Sequence, residues 1–209
     1  MFYQYINFFS WYLGNTQIQI ESAFSLGLIA FISGLAFLLF IHISYFPREL
    51  NNSAAIPTFP PLIMLFSVNL GFFIGISNLY AIQLYKLPVF LDTFRSPELG
   101  GLAIFVSFAL IFLSVGLFRQ NEEDPNPTTQ SNKLITSGIY KYIRNPMYLS
   151  LVILQTGLGI SLSFLHISLM SIFTAITIHY FIIKREEAYL RNLFGVEYEN
   201  YKAKSRRWI

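Results

Sequence analysis

The chain has no cysteine, and only 12% of its 209 residues are charged. Without cysteine it forms no disulfide, offers no thiolate nucleophile and builds no Cys-ligated zinc or iron–sulfur site. Three histidines, His42, His166 and His179, are too few for a His-rich di-iron membrane oxidase, so no metal site is expected. So little charge, with a net of +3, also leaves no basic surface for nucleic acid. What the chain has instead is hydrophobic residues, 54% of the total, and aromatics, 18%. Its apolar runs reach the length that crosses a bilayer.

These runs predict an all-α, polytopic transmembrane protein of about five spans. The first runs from Phe24 to Tyr45, with Gly27 and Gly34 on one face. The second, about Leu62 to Tyr80, carries Gly71-x-x-x-Gly75, a close-packing motif expected to act within the chain. The third is Leu99 to Phe118. The fourth, Met147 to Phe164, and the fifth, about Leu165 to Ile183, leave almost no connection and form a tight antiparallel hairpin. Residues 1–20 are aromatic and polar, suited to an interface, and lack the basic start of a signal peptide. Between the third and fourth spans lies the longest polar loop, Arg119 to Lys133. Its Glu122, Glu123 and Asp124 suggest metal ligands, but Pro125 and Pro127 make a solvated loop the expected reading. Two parts follow: a membrane scaffold over 1–132 and a functional core over 133–209.

Polar groups gather in that core. Asn145-Pro146 reads as a helix start, an N-cap followed by a residue that gives up no needed donor. The helix end it creates, beside Lys141 and Arg144, is a place for an anion such as a carboxylate. Glu186 and Glu187 follow the fifth span at the membrane boundary, where ionisable groups point to function. On a regular helix His179, Ile183, Glu186 and Leu190 share one face. Gly195 reads as the stop of that helix, and Tyr198 and Tyr201 open a short amphipathic one.

R-N-P-M-Y, an apolar hairpin, R-E-E-x-x-L-x-x-x-F-G-x-x-Y-x-x-Y and a terminal R-R-W resemble the isoprenylcysteine carboxyl methyltransferase family. These are membrane-integrated enzymes that use S-adenosylmethionine and are similar to the membrane phospholipid methyltransferases. The resemblance spans about residues 133–209. Eukaryotic members carry R-H-P-x-Y-x-G, where this chain has Asn145 and Ser150; the Asn form is similar to prokaryotic members and implies a prokaryotic inner membrane rather than endoplasmic reticulum. The glutamine those members place after the hairpin glycine is absent after Gly157, and Gln155 is the nearest. Their arginine one turn before the Glu pair falls at Ile182, with Arg185 nearest.

The resemblance implies a cofactor pocket for S-adenosylmethionine formed by 133–148 and the Glu186 helix. Its candidate cofactor-binding residues are Gly138, Tyr140, Arg144, Asn145, Pro146, Tyr148, His179, Tyr180 and Glu187, with Glu186 and Arg185 as catalytic candidates. Arg144 or the dipole end of the fourth helix would hold the cofactor carboxylate, and the tyrosines would meet the adenosyl group or sulfonium. Glu186 or Glu187 would bind the ribose or ammonium, or orient the acceptor through Arg185. The expected acceptor is a small lipophilic or lipidated molecule in the bilayer, a carboxylate of isoprenylcysteine type. A phospholipid amine, an NADPH-dependent reductase of sterol-reductase type and a non-catalytic membrane protein are the alternatives.

Charge bias gives an orientation. Arg48, Arg119, Lys133, Lys141, Arg144 and the seven basic residues from Lys184 onward share the side of the C-terminus, against Lys86 and Arg95 on the other. The positive-inside rule puts the C-terminus and the motifs in the cytoplasm.

Overall fold

The computed structural model describes residues 20–47 and 53–209, and the described chain is all helical. The interfacial reading of the N-terminal segment, and the placement of Arg48, lie outside those residues. The main helices are α1 (Ile20–Tyr45), α2 (Pro60–Ile76), α3 (Pro97–Gln120), α4 (Pro146–Ser161), α5 (Leu165–Leu169), α6 (Ser171–Ile178), α7 (Lys184–Phe194) and α8 (Val196–Lys204). A π-helical turn, His179–Ile183, joins α6 to α7 without interrupting the rod. Among the described residues four stretches are long and apolar enough to cross a membrane: Phe24–Tyr45, Pro60–Leu79, Pro97–Gln120 and Leu165–Phe194. The apolar α4 is shorter, and it completes a five-rod arrangement in which α4 and the Leu165–Phe194 rod form the hairpin.

Local chemistry sets where the rods begin. Pro60, Pro97 and Pro146 each occupy a first-turn position, where the missing N–H costs nothing. Ser96 caps α3 by accepting from the Leu99 amide at 3.2 Å, and donates to Glu98 at 2.6 Å. The hairpin turn forces Ser163 to a φ of 53°, and Phe164 N–H then reaches Gly159 O at 2.8 Å.

Apolar side chains gain little from each other in lipid, so small residues and internal hydrogen bonds must hold the rods together. A Cβ on Gly100 would sit 2.3 Å from the Ser161 backbone nitrogen, so α3 and α4 touch backbone to backbone there. Nearby, Ser107 donates to Ser150 O at 2.8 Å. Gly71 and Gly75 pack on the turn around Phe164, His166 and Ile167, within the chain. Gln155 is fully buried and ties three rods: its amide donates to Ser67 Oγ (2.9 Å) and Ile167 O (3.1 Å), and Thr174 donates to its oxygen (2.6 Å). Gln155 is therefore spent on packing. Outward, Phe37, Phe40, Phe105 and Phe112 are exposed, the surface a bilayer covers.

At the end of the bundle where α4 starts and α7 continues out of its span, the two basic-rich segments meet. There the core changes from apolar to ionic.

Candidate functional site

Gly138 opens the site. Its φ of +57° starts a single 3-10 turn, Gly138–Lys141, and any side chain there would strike Leu117. The turn buries Tyr140 edge-on against Phe118, ring centroids 5.6 Å apart. The chain then runs extended through Ile143, which bridges in parallel to Arg206 near the C-terminus: Arg144 N–H donates to Arg206 O, and Arg206 N–H to Tyr142 O, each at 2.8 Å. Residues 201–207 thus lie along the 140–145 turn as a strap. Tyr201 adds a hydrogen bond from its hydroxyl to Tyr140 O at 2.8 Å.

Arg144 is mostly consumed by this strap and by α7. One guanidinium nitrogen donates to Lys202 O (3.1 Å) and to Ser205 O; the other approaches Glu187 at 3.5 Å. Its Nε is buried and has no hydrogen-bond partner. Asn145 holds the N-cap position of α4, and the Leu149 amide bonds to its carbonyl. Its side chain does not cap: it turns away and donates to Arg207 O at 2.9 Å, because the strap offers an acceptor where the first turn begins with proline.

The Glu pair divides. Glu187 is buried and accepts a two-pronged bond from Arg207, Nε at 2.9 Å and Nη2 at 2.6 Å. Glu186, partly buried, accepts from the Tyr148 hydroxyl at 2.8 Å. Among the described residues Glu186 makes no ion pair, whereas Glu187 makes two. Geometry thus separates two adjacent carboxylates into one tied to arginines and one facing open space.

That space is a cavity of about 70 Å³ lined by Tyr140, Arg144, Asn145, Tyr148, Glu186 and Tyr189, among others. Asp124 to Pro127, Thr129, Ser131 and Lys133 roof it, so the 119–133 segment, solvated at Arg119, Glu122, Asp124 and Lys133 as its prolines suggested, also folds over the cavity. It folds inward because its polar groups find partners there: Glu123 is buried and accepts the Asn132 amide at 3.0 Å, and Tyr189 OH accepts the Ser131 amide at 3.0 Å. Among the described residues no cluster of three potential metal ligands exists. Burial raises the phenol pKa values of Tyr140 and Tyr198 well above the ordinary range and pushes Tyr201 up to about 12. All three stay protonated, as donors, at neutral pH.

Of the residues singled out from the sequence, Tyr140, Arg144, Asn145, Tyr148 and Glu186 line the cavity, and Gly138, Pro146 and Glu187 shape its walls from behind. The structure places His179, Tyr180 and Arg185 outside the lining. The π turn admits an extra residue per turn, so Ile182 and Ile183 are both fully buried and His179 rotates off the Glu186 face. His179 packs edge-on against Tyr180, which is exposed with Lys184 over its ring at 4.3 Å. Arg185, exposed, donates to Ala55 O at 2.6 Å. Sequence reasoning missed Tyr189, the roof loop and Arg207; for Arg207 the terminal R-R-W was the available signal.

A polar cavity at one end of a bundle of membrane-length apolar helices, at the point where two motifs converge, defines an integral membrane protein with a candidate site at its polar end. The family model for phospholipid methyltransferase matches residues 99–197. A protein of Haemophilus influenzae, described as uncharacterized, is 43% identical over 67 residues, which is 30% of this chain and 100% of that protein. Over residues 99–197 the chain is thus similar to the phospholipid methyltransferase family, methyltransferases whose usual methyl donor is S-adenosylmethionine.

The divided pair makes a stability prediction. Glu187→Gln leaves two guanidinium groups near each other without their carboxylate, side chains 9% and 33% exposed. Full burial of such an orphan costs about 3–5 kcal/mol; with Arg207 partly solvated, about 2–3 kcal/mol is expected. Glu186→Gln keeps an acceptor for Tyr148 and is expected to cost less than about 1 kcal/mol. Unfolding in detergent compares the two, and equal losses would contradict the division.

Proposed function

We propose that the chain transfers a methyl group from S-adenosylmethionine to the amine of a lipophilic acceptor at the membrane surface, within the cavity between the 140–148 segment and α7. The observation that carries this reading is the state of the charges. Glu186 faces the cavity with no ion pair among the described residues, while Arg144 and Arg207 share the single carboxylate of Glu187. A carboxylate acceptor, the class implied by the isoprenylcysteine resemblance, would enter beside an unpaired carboxylate, with Arg207 and the terminal nitrogens of Arg144 turned to Glu187 and the strap. An amine enters as its complement.

S-adenosylmethionine supplies an electrophilic methyl on a positively charged sulfur. The residues present suit it: Arg144 Nε is a buried donor for the amino-acid carboxylate, and the Tyr140 and Tyr148 rings are surfaces for the cationic part. A cavity of about 70 Å³ is smaller than the ~300 Å³ of small ligand sites, so the 121–133 roof withdraws to admit the nucleoside. Tyr148 holds the Glu186 carboxylate toward the acceptor. Glu186 takes the proton that the amine gives up, so that the nitrogen lone pair forms the new N–CH₃ bond as the S–CH₃ bond breaks and sulfur leaves as a neutral thioether. Enclosure keeps water from competing for the methyl.

The test is transfer of labelled methyl to lipid vesicles. Aminophospholipid vesicles should gain label, vesicles carrying prenylated cysteine should not, and Glu186→Gln should lose most of the transfer, on the order of 10²-fold as for removal of a positioned base. Label on the prenylated cysteine alone, with Glu186→Gln fully active, would overturn both acceptor and base.

The same reading requires the cavity to face the compartment that makes the cofactor. The basic residues cluster with the C-terminus, so the C-terminus is proposed to be cytoplasmic. A reporter fused after Ile209 should be active only in its cytoplasmic form; activity on the outer face would reverse the topology.

A further inference from the structure

We infer that Arg207 is a positioning residue: through Glu187 it holds the 140–145 turn against α7 and so sets the affinity of the cavity for the methyl donor. The inference rests on the reading above that the cavity binds S-adenosylmethionine. Arg207 is not among the lining residues, and its side chain reaches no reacting group. Its fork closes on both oxygens of Glu187, at 2.9 and 2.6 Å. Glu187 Oε1 in turn receives Arg144 at 3.5 Å, and Arg144 lines the cavity and keeps a buried Nε without a hydrogen-bond partner. One carboxylate therefore fixes the rotamer of a cavity donor, and Arg207 fixes the carboxylate.

The backbone of the same segment does the complementary work. Asn145 Nδ2 bonds to Arg207 O, the Ile143–Arg206 bridge sets register, and Tyr201 OH bonds to Tyr140 O. All of these end on the 140–145 turn. None of them ends on α7; among the described residues the strap's ion pair to that helix runs through Arg207 and Glu187. Loss of the Arg207 side chain should therefore leave the strap on the turn but loosen the turn against the helix that carries Glu186, where the 3.5 Å Arg144–Glu187 contact and the Tyr148–Glu186 hydrogen bond remain. A single ammonium replaces the charge without the fork, so lysine is predicted to be an incomplete substitute.

The experiment uses the full chain in detergent or vesicles, with methyl transfer measured as a function of S-adenosylmethionine concentration. Arg207→Gln should raise KM for S-adenosylmethionine about tenfold while kcat stays within about twofold, the scale of one charge-assisted bidentate contact. Arg207→Lys should fall between. Lys204→Gln removes a nearby, exposed charge that joins no part of this network, and should change neither constant. Hydrogen exchange of the 139–149 segment supplies a second readout, expected to quicken in Arg207→Gln and not in Lys204→Gln. Unchanged KM with unchanged exchange, or a fall in kcat alone, would overturn the assignment. A wild-type protein that transfers no methyl would instead overturn the proposed function, and the two failures are thus distinct.

Discussion

The buried carboxylate of Glu187 is the constraint on which the polar end of the molecule depends. An ionised group at a helical bundle's membrane boundary costs several kcal/mol to desolvate and stays charged only with good partners. Its partners here come from two places far apart in sequence, Arg144 before α4 and Arg207 near the C-terminus. Satisfying one carboxylate therefore brings a turn, a strap and a helix to the same point. The cavity is what remains between them, and Glu186, one residue earlier on the helix, is left facing it.

The rest of the bundle supplies a rigid frame for that junction. Backbone contact at Gly100 and Gly157 fixes α3 against α4, and the Gln155 network fixes α4 against α2 and α6. Since α4 begins at Pro146, immediately after Arg144 and Asn145, its position determines where Tyr148 points. The fifth rod does the same for Glu186, because it continues in one direction from Leu165 to Phe194 through the Met170 turn and the π turn. Scaffold and chemistry are joined by helices that belong to both.

Much of this was legible in the sequence, for identifiable reasons. Long apolar runs, prolines at helix starts and Gly195, with a φ of +54° in the turn between α7 and α8, act through local energetics that a sequence displays directly. The tyrosine, arginine and glutamate of the two motifs likewise fall at the cavity. What was hidden depends on partners distant along the chain. The 121–133 segment looks like a solvated loop and nothing more until Tyr189 is known to receive its Ser131 amide. Asn145 looks like a side-chain cap until Arg207 O lies beside it. The His179 face was misassigned because helical periodicity assumes an unbroken α register, and the π turn at 179–183 changes it. Nothing in I-T-I-H-Y-F-I-I announces that turn.

The central claim is that this junction binds S-adenosylmethionine through Arg144. Calorimetric titration of the cofactor into purified wild-type and Arg144→Lys protein tests it most directly, because lysine keeps the charge beside Glu187 and removes the Nε donor. The account predicts saturable one-to-one binding to the wild type and affinity weaker by about tenfold or more in the variant. Equal affinity in a folded Arg144→Lys protein, or no binding by the wild type, would contradict it.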